Sequence, residues 1–255
     1  MASEATATAN SSRWRAYARL FLLLGWFAVC IGPHFVARAT GRSHWPRRFL
    51  GGVARIAGAD VKRHGPRPGA GNLLLANHIS WLDIPVLAGA TGCAFVSKAE
   101  IRGHWLLRWF AAQNATVYVD RADRRAVHEQ AASLRGGLES HQPLAIFPEG
   151  TVGNGRELLP FKPALLSAVA PPPEGVRVVP VVIDYHEHSE AIAWDTGAPG
   201  LHDFLRVLGR ASTATVSVHV LDPLEPHDDR KTLARAAAEA IEGALAASAN
   251  SRPAL

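Results

Sequence analysis

A chain of 255 residues is long enough to bury a substantial core, as one domain or as one domain plus an anchor. Its two cysteines, Cys30 and Cys93, exclude a disulfide framework and a thiolate metal site and point to a reducing compartment. The net charge of +5 is unevenly spread: residues 1–70 hold 11 Lys/Arg against two Asp/Glu, a net of +9, which leaves −4 for the rest.

Residues 1–12 are small and polar and read as a disordered tail. No secretory cleavage pattern follows, because the apolar stretch starts late and lacks a small-residue site. Leu20 to Ala37 contains no Asp, Glu, Lys or Arg. As one helix its 18 residues would span about 27 Å, just short of a hydrocarbon core. Gly25, Gly32, Pro33 and His34 interrupt it, so the expected helix is Arg19–Ile31. Arg13, Arg15 and Arg19 precede this stretch, and Arg38, Arg42, Arg47 and Arg48 follow it. Positive charge at both ends fits a segment that dips into one leaflet or lies in the interface. A single span and a buried core helix are the alternatives. The local basicity suits anionic lipid head groups. Nucleic acid is disfavoured, since no binding motif or aromatic–basic interleaving accompanies the charge.

Trp45–Ala57 places Phe49, Val53 and Ile56 at helical spacing beside Arg47, Arg48 and Arg55, a second amphipathic helix for either bilayer or core. Residues 13–64 are therefore read as a basic membrane-anchoring helical segment. The Pro/Gly linker Gly65–Gly71 then opens an α/β domain over 65–248, with a tail at 249–255. Strand-like runs are Leu73–Ala76, Cys93–Ser97, Ala115–Val119, Pro143–Phe147, Val176–Ile183 and Ala214–Val220. Helical patterns alternate with them at Ile101–Ala111, Arg124–Glu139, Lys162–Ala170, Leu201–Gly209 and Asp229–Ala247. This alternation predicts the fold class α/β, a mostly parallel or mixed central sheet flanked by helices. Pro180 inside its strand predicts an edge or a bulge.

The chemistry-bearing stretch is residues 76–85, Ala-Asn-His-Ile-Ser-Trp-Leu-Asp-Ile-Pro. On one continuous helix, His78 and Asp83 would lie about 140° apart. In a strand-to-helix turn, His78 can fold back over Asp83 at the helix start, where the helix N-terminus favours an ionised carboxylate. An imidazole held by a carboxylate is a general base near neutral pH. Ser80, between them, reads as a turn or capping residue.

Three further stretches follow in order: Val119-Asp120-Arg121 at a strand end, Phe147-Pro148-Glu149-Gly150-Thr151, and Val179-Pro180-Val181. Together with Asn77-His78-x4-Asp83 they resemble the glycerolipid and lysophospholipid acyltransferase family, over about residues 70–185. The resemblance implies that His78 takes the proton from a lipid hydroxyl as it attacks an acyl thioester, while Asp83 orients the imidazole and stabilises its cation. It implies backbone donors near Gly150 and Thr151 for the oxyanion, a head-group role for Glu149, and anion binding by Arg121 and Lys98. A structural carboxylate tying loops together is the competing role for Glu149. The implied donors are acyl-CoA or acyl-carrier protein, used as substrates with no metal or redox cofactor. The implied partners are a lysolipid and the bilayer, at the inner, cytoplasmic membrane, with the catalytic domain facing the cytoplasm.

The first expectation for the acceptor is 1-acyl-glycerol-3-phosphate. Many family members continue the third motif with Arg-Ser, where this chain has Val152-Gly153, although Arg156 stands nearby as a substitute. The run into Leu159-Pro160-Phe161-Lys162-Pro163 resembles lyso-ornithine lipid acyltransferases, the alternative. A thioesterase and a non-catalytic membrane scaffold are more distant readings. His186-Glu187-His188 lacks metalloprotease spacing and reads as an exposed loop. No Gly-x-Ser-x-Gly elbow or phosphate-binding Gly-x4-Gly-Lys loop occurs.

Overall fold

The computed structural model describes residues 12–41, 44–98, 105–119, 136–138, 141–167, 169–195 and 197–250. Helices α1 (Arg13–Ala39) and α2 (Trp45–Ile56) lead into strand β1 (Ala59–His64). Then come β2 (Asn72–Ala76), α3 (Asp83–Thr91), β3 (Ala94–Lys98), α4 (Trp105–Gln113), β4 (Val117–Val119) and β5 (Leu144–Ile146). A 3₁₀ turn at Pro163–Leu166 precedes β6 (Arg177–Asp184), α5 (Gly200–Leu208), β7 (Ala214–Val220) and α6 (Arg230–Asn250).

The sheet has seven strands in the order β1-β7-β6-β2-β5-β3-β4. Strands β6, β2, β5, β3 and β4 run parallel, whereas β7 is antiparallel to β6 and parallel to β1. The mixed, helix-covered sheet matches the expected fold class. A parallel strand covered on both faces reads as an unbroken apolar run, because both of its side-chain rows are buried. In β2, Leu74 and Ala76 join the core beneath α1–α3, and Leu73 and Leu75 join the core beneath α6. The carboxyl ends of these strands form one rim of the sheet, where an α/β fold collects its ligands.

Several elements differ from the sequence reading. Residues 59–64 form an edge strand of the sheet, not the tail of an anchor. Its sequence, Ala-Asp-Val-Lys-Arg-His, buries only Ala59, so it carries no apolar signal. Helix α1 is continuous through Gly32 and Pro33 to Ala39. The end beyond Pro33 is held from outside: His34 and Arg38 both bond the Gln113 side chain on α4, at 3.1 and 3.0 Å. The expected helix at 162–170 is only the short 3₁₀ turn. The expected helix at 124–139 lies largely outside the described residues, as does the start of the one at 101–111.

Pro180 sits neither at an edge nor in a bulge: it is paired with Leu75 inside the sheet. Its carbonyl accepts from Leu221 N–H at 3.0 Å, just past Val220, the last β7 residue paired to β6. A residue's N and C=O face the same neighbour in a strand, so the missing donor lies where the β7 ladder has already ended.

The helical layer is fixed by glycine. α2 and α3 cross at Gly51 and Gly89, and a Cβ on Gly89 would stand 2.6 Å from the Gly51 Cα. A Cβ on Gly51 would meet the Gly89 Cα at an ordinary 3.5 Å. Gly89→Ala should therefore cost about 1–3 kcal/mol by overpacking against backbone, lowering the melting temperature by roughly 5 °C. Gly51→Ala should be neutral or raise it, since alanine favours a helix by about 1 kcal/mol over glycine. Thermal denaturation of both variants checks the asymmetry.

Candidate active site

Strand β2 ends at Ala76, and the next residue ties that end to β6. The Asn77 side chain donates to the Ile183 carbonyl at 2.9 Å and accepts from the Ile183 N–H at 2.8 Å. The chain then turns before α3, which begins at Asp83 and closes on a left-handed Gly92. Asp83 is fully buried, and its Oδ2 gathers the turn. Ile79 N–H and Ser80 N–H donate to it at 2.7 and 2.8 Å, and His78 Nδ1 lies 2.8 Å away. Beside a carboxylate acceptor Nδ1 carries the proton, which leaves the Nε2 lone pair as the proton acceptor. The imidazole is stacked on Phe147 at 4.1 Å between ring centres, and its side chain is 16% exposed, enough to meet a substrate.

The second Asp83 oxygen is also taken. Tyr185, fully buried just beyond β6, donates its hydroxyl to Oδ1 at 2.7 Å. Burial, then the charge of Asp83, pushes the phenol well above its ordinary range, so it remains a neutral donor. Four donors thus fix both oxygens of one carboxylate.

Glu149 anchors the turn from the β5 side. Its Oε1 accepts the His78 N–H at 2.6 Å and its Oε2 accepts the Leu159 N–H at 3.1 Å. It is 1% exposed, and burial raises its pKa to about 7 against the pull of those two donors. The placement is that of a carboxylate tying loops together, the second of the two roles read from sequence. Its folded pKa stands above the ordinary 4.5, so its ionisation weakens the fold as pH rises from about 4.5 through 7. Wild-type melting temperature should fall across that window more steeply than that of Glu149→Gln, which cannot ionise. Equal slopes would remove Glu149 as the cause.

The turn is clamped further by Gly153 N–H on the His78 carbonyl and Trp194 N–H on the Ile79 carbonyl, both at 2.7 Å. Gly150 adopts φ +68° and spends its N–H on Phe147 O at 3.1 Å, which removes that amide from the oxyanion donors expected near 150–151. Thr151 is exposed on the same loop. Lys98 is the last residue of β3, at the same rim of the sheet. Arg121 lies outside the described residues. Arg156, the expected phosphate substitute, is an exposed residue 3.1 Å from Glu190.

The His186-Glu187-His188 stretch is not an exposed loop as a whole. His186 Nδ1 lies 3.0 Å from Asp184 and its Nε2 lies 3.0 Å from Ser217 Oγ, because the end of β6 is packed on β7. The sequence reading gave no role to Asn77 and passed over Tyr185. A signal for Tyr185 existed. Carrying the two-residue alternation of Val179, Val181 and Ile183 onward by one step places it on the face that α3 covers.

Comparison with known proteins shows the family. The acyltransferase family model matches residues 56–184. The chain is 35% identical over 204 residues to the lyso-ornithine lipid O-acyltransferase of Pseudomonas aeruginosa, covering 76% of each chain. It is 33% identical over 133 residues to the 1-acyl-sn-glycerol-3-phosphate acyltransferase of Neisseria gonorrhoeae, covering 52% of this chain and 51% of that one. The crystal structure of the 1-acyl-sn-glycerophosphate acyltransferase PlsC of Thermotoga maritima shares the fold, with a TM-score of 0.58 and 21% identity over 94% of this chain and 100% of that one. A buried carboxylate aiming an imidazole from the end of a central strand thus stands inside a matched region spanning half the sequence, and the chain belongs to the acyltransferase family.

Proposed function

We propose that the protein transfers a fatty acyl group from a thioester donor, acyl-CoA or acyl-carrier protein, to the hydroxyl of a lysolipid, with His78 as general base. The observation that carries this is the His78–Asp83 contact with Nε2 left as proton acceptor. His78 Nε2 takes the hydroxyl proton as the alkoxide oxygen bonds to the thioester carbonyl carbon. Asp83 stabilises the imidazolium so formed. The tetrahedral intermediate collapses by breaking the C–S bond, and the imidazolium returns its proton to the leaving thiolate. Thr151 N–H is the donor we assign to the oxyanion, Lys98 and Arg121 are assigned to binding the acceptor's charged head, and Glu149 holds the His78 backbone.

Lyso-ornithine lipid is the acceptor favoured first. A relative of that name aligns over three quarters of both chains, position 152 is valine, and Arg156 is paired to Glu190. 1-Acyl-glycerol-3-phosphate is the second reading, supported by a relative that aligns over half of each chain. Purified protein should be assayed with both acceptors and both donors. Acylation of neither acceptor, with release of free fatty acid instead, would replace the transferase by a thioesterase.

We further propose that α1 lies in the membrane interface on the cytoplasmic side of the inner membrane. Along its length it is bonded to the rest of the fold: Arg19 to the Leu208 and Arg210 carbonyls, Trp26 to the Phe49 carbonyl, His34 to Gln113. A helix so attached cannot cross a bilayer without dragging the sheet into hydrocarbon. Its outer side exposes Trp14, Tyr17, Phe21 and Leu24, each by more than half. Those side chains contribute about 1.5–3 kcal/mol apiece when buried in lipid. Phe21→Glu with Leu24→Glu should move the protein from the membrane pellet to the supernatant with unchanged circular dichroism.

A further inference from the structure

A groove of about 710 Å³ runs between α2, β1 and α3. Its walls carry Arg47, Arg48, Arg55 and Arg63, with Trp26 and Trp45 beside them, and among the described residues that line it the one carboxylate is Asp60. Among the described residues, none of the four guanidinium groups enters an ion pair with a carboxylate. Arg47 is held in place by the carbonyls of Gly89 and Ala90 at 3.1 and 3.4 Å, and Arg48 lies 5.1 Å over the Trp45 ring. Four like charges around one concavity, with one opposite charge, focus a positive potential that an anion would relieve.

The groove also approaches the dyad along the chain. Its α3 wall is Pro85, Val86, Gly89 and Ala90, two to seven residues beyond Asp83. At 1.5 Å per residue, the wall starts about 3 Å along the helix axis from Asp83 and continues for about 7.5 Å. None of the apolar residues that α1 turns outward, Trp14, Tyr17, Phe21 or Leu24, lines it.

We propose that this groove holds the phosphate end of the acyl donor, the phosphate at the head of the pantetheine arm that coenzyme A and carrier-protein donors share. The inference rests on the acyl-transfer reading above. The arginines fix the phosphate, the arm passes over the exposed start of α3 at Ile84, and the thioester arrives at His78. Ala54 and Ala59, both buried, add small side chains to its lining.

The test uses the full chain in neutral detergent with three donors: acyl-CoA, acyl-carrier protein and acyl-pantetheine, which has the arm without the phosphate. In the Arg48→Ala/Arg55→Ala double variant, KM for the two phosphate-bearing donors should rise at least tenfold with kcat changed less than twofold. The wild-type preference for those donors over acyl-pantetheine should shrink by the same factor, and the difference should fade as salt rises. Asp60→Asn should lower the same KM values, and Arg48→Lys/Arg55→Lys should restore most of the affinity, which separates lost charge from misfolding. Arg235→Ala, exposed on α6, should change nothing. An equal rise for acyl-CoA and the carrier protein supports the shared phosphate, and a larger rise for acyl-CoA supports it with the nucleotide phosphates joining in. Unchanged KM values, an effect confined to the carrier protein, or an effect confined to binding of phosphatidylglycerol vesicles would overturn it. Because His78→Ala reports on the base separately, loss of one reading is distinguishable from loss of the other.

Discussion

His78→Ala should lower kcat by about 10³-fold or more, toward the upper end of what a positioned general base contributes, which is roughly 4 kcal/mol at 1.36 kcal/mol per decade. The fold should survive. Among the described residues the ring makes one hydrogen bond, to Asp83, and one stacking contact, with Phe147. Asp83 keeps its donors from Ile79, Ser80 and Tyr185 when the ring is gone. Melting temperature should therefore move by only a few degrees while turnover disappears. Added imidazole should restore part of the activity if the vacated space admits it. A variant that folds and still turns over at the wild-type rate would end the assignment of His78 as base.

Asp83 should behave differently, because its carboxylate supports both chemistry and fold. Asp83→Ala would orphan two backbone N–H groups and the Tyr185 hydroxyl, all in a fully buried place. Each such donor costs about 1–3 kcal/mol and the costs are not additive, so a loss on the order of 4 kcal/mol is expected. At about 2–4 °C per kcal/mol for a chain of this size, melting should fall by 10 °C or more. Asp83→Asn separates the two functions. Its carbonyl oxygen can take the Oδ2 position and keep the Ile79, Ser80 and His78 bonds. Its NH₂ then meets Tyr185, whose hydroxyl can rotate to accept. The fold should hold and the imidazole should keep its tautomer, but the imidazolium would lose its counter-charge. A drop in kcat of about 10²- to 10³-fold with little change in melting temperature is the expected result. If Asp83→Asn unfolds as readily as Asp83→Ala, the four-donor arrangement described above is wrong.

The contrast between these variants follows the line between what was legible in the sequence and what was not. Sequence alone determined the parts whose cause is local. The pairing of His78 with Asp83 needs only a five-residue turn ahead of a helix, and that turn was readable from the apolar run before it and Pro85 after it. The strands β2, β5 and β6 were readable because burial on both faces writes an unbroken apolar run. Tertiary structure decided the rest. β1 is an edge strand with polar side chains, so only its pairing with β7 identifies it. Helix α1 outlasts Pro33 because α4 holds its far end. The roles of Glu149 and Tyr185 depend on contacts with residues 71 and 102 positions away in the chain. A residue type announces the chemistry it can perform, but which oxygen meets which donor is fixed by packing between distant strands, and no local pattern records it.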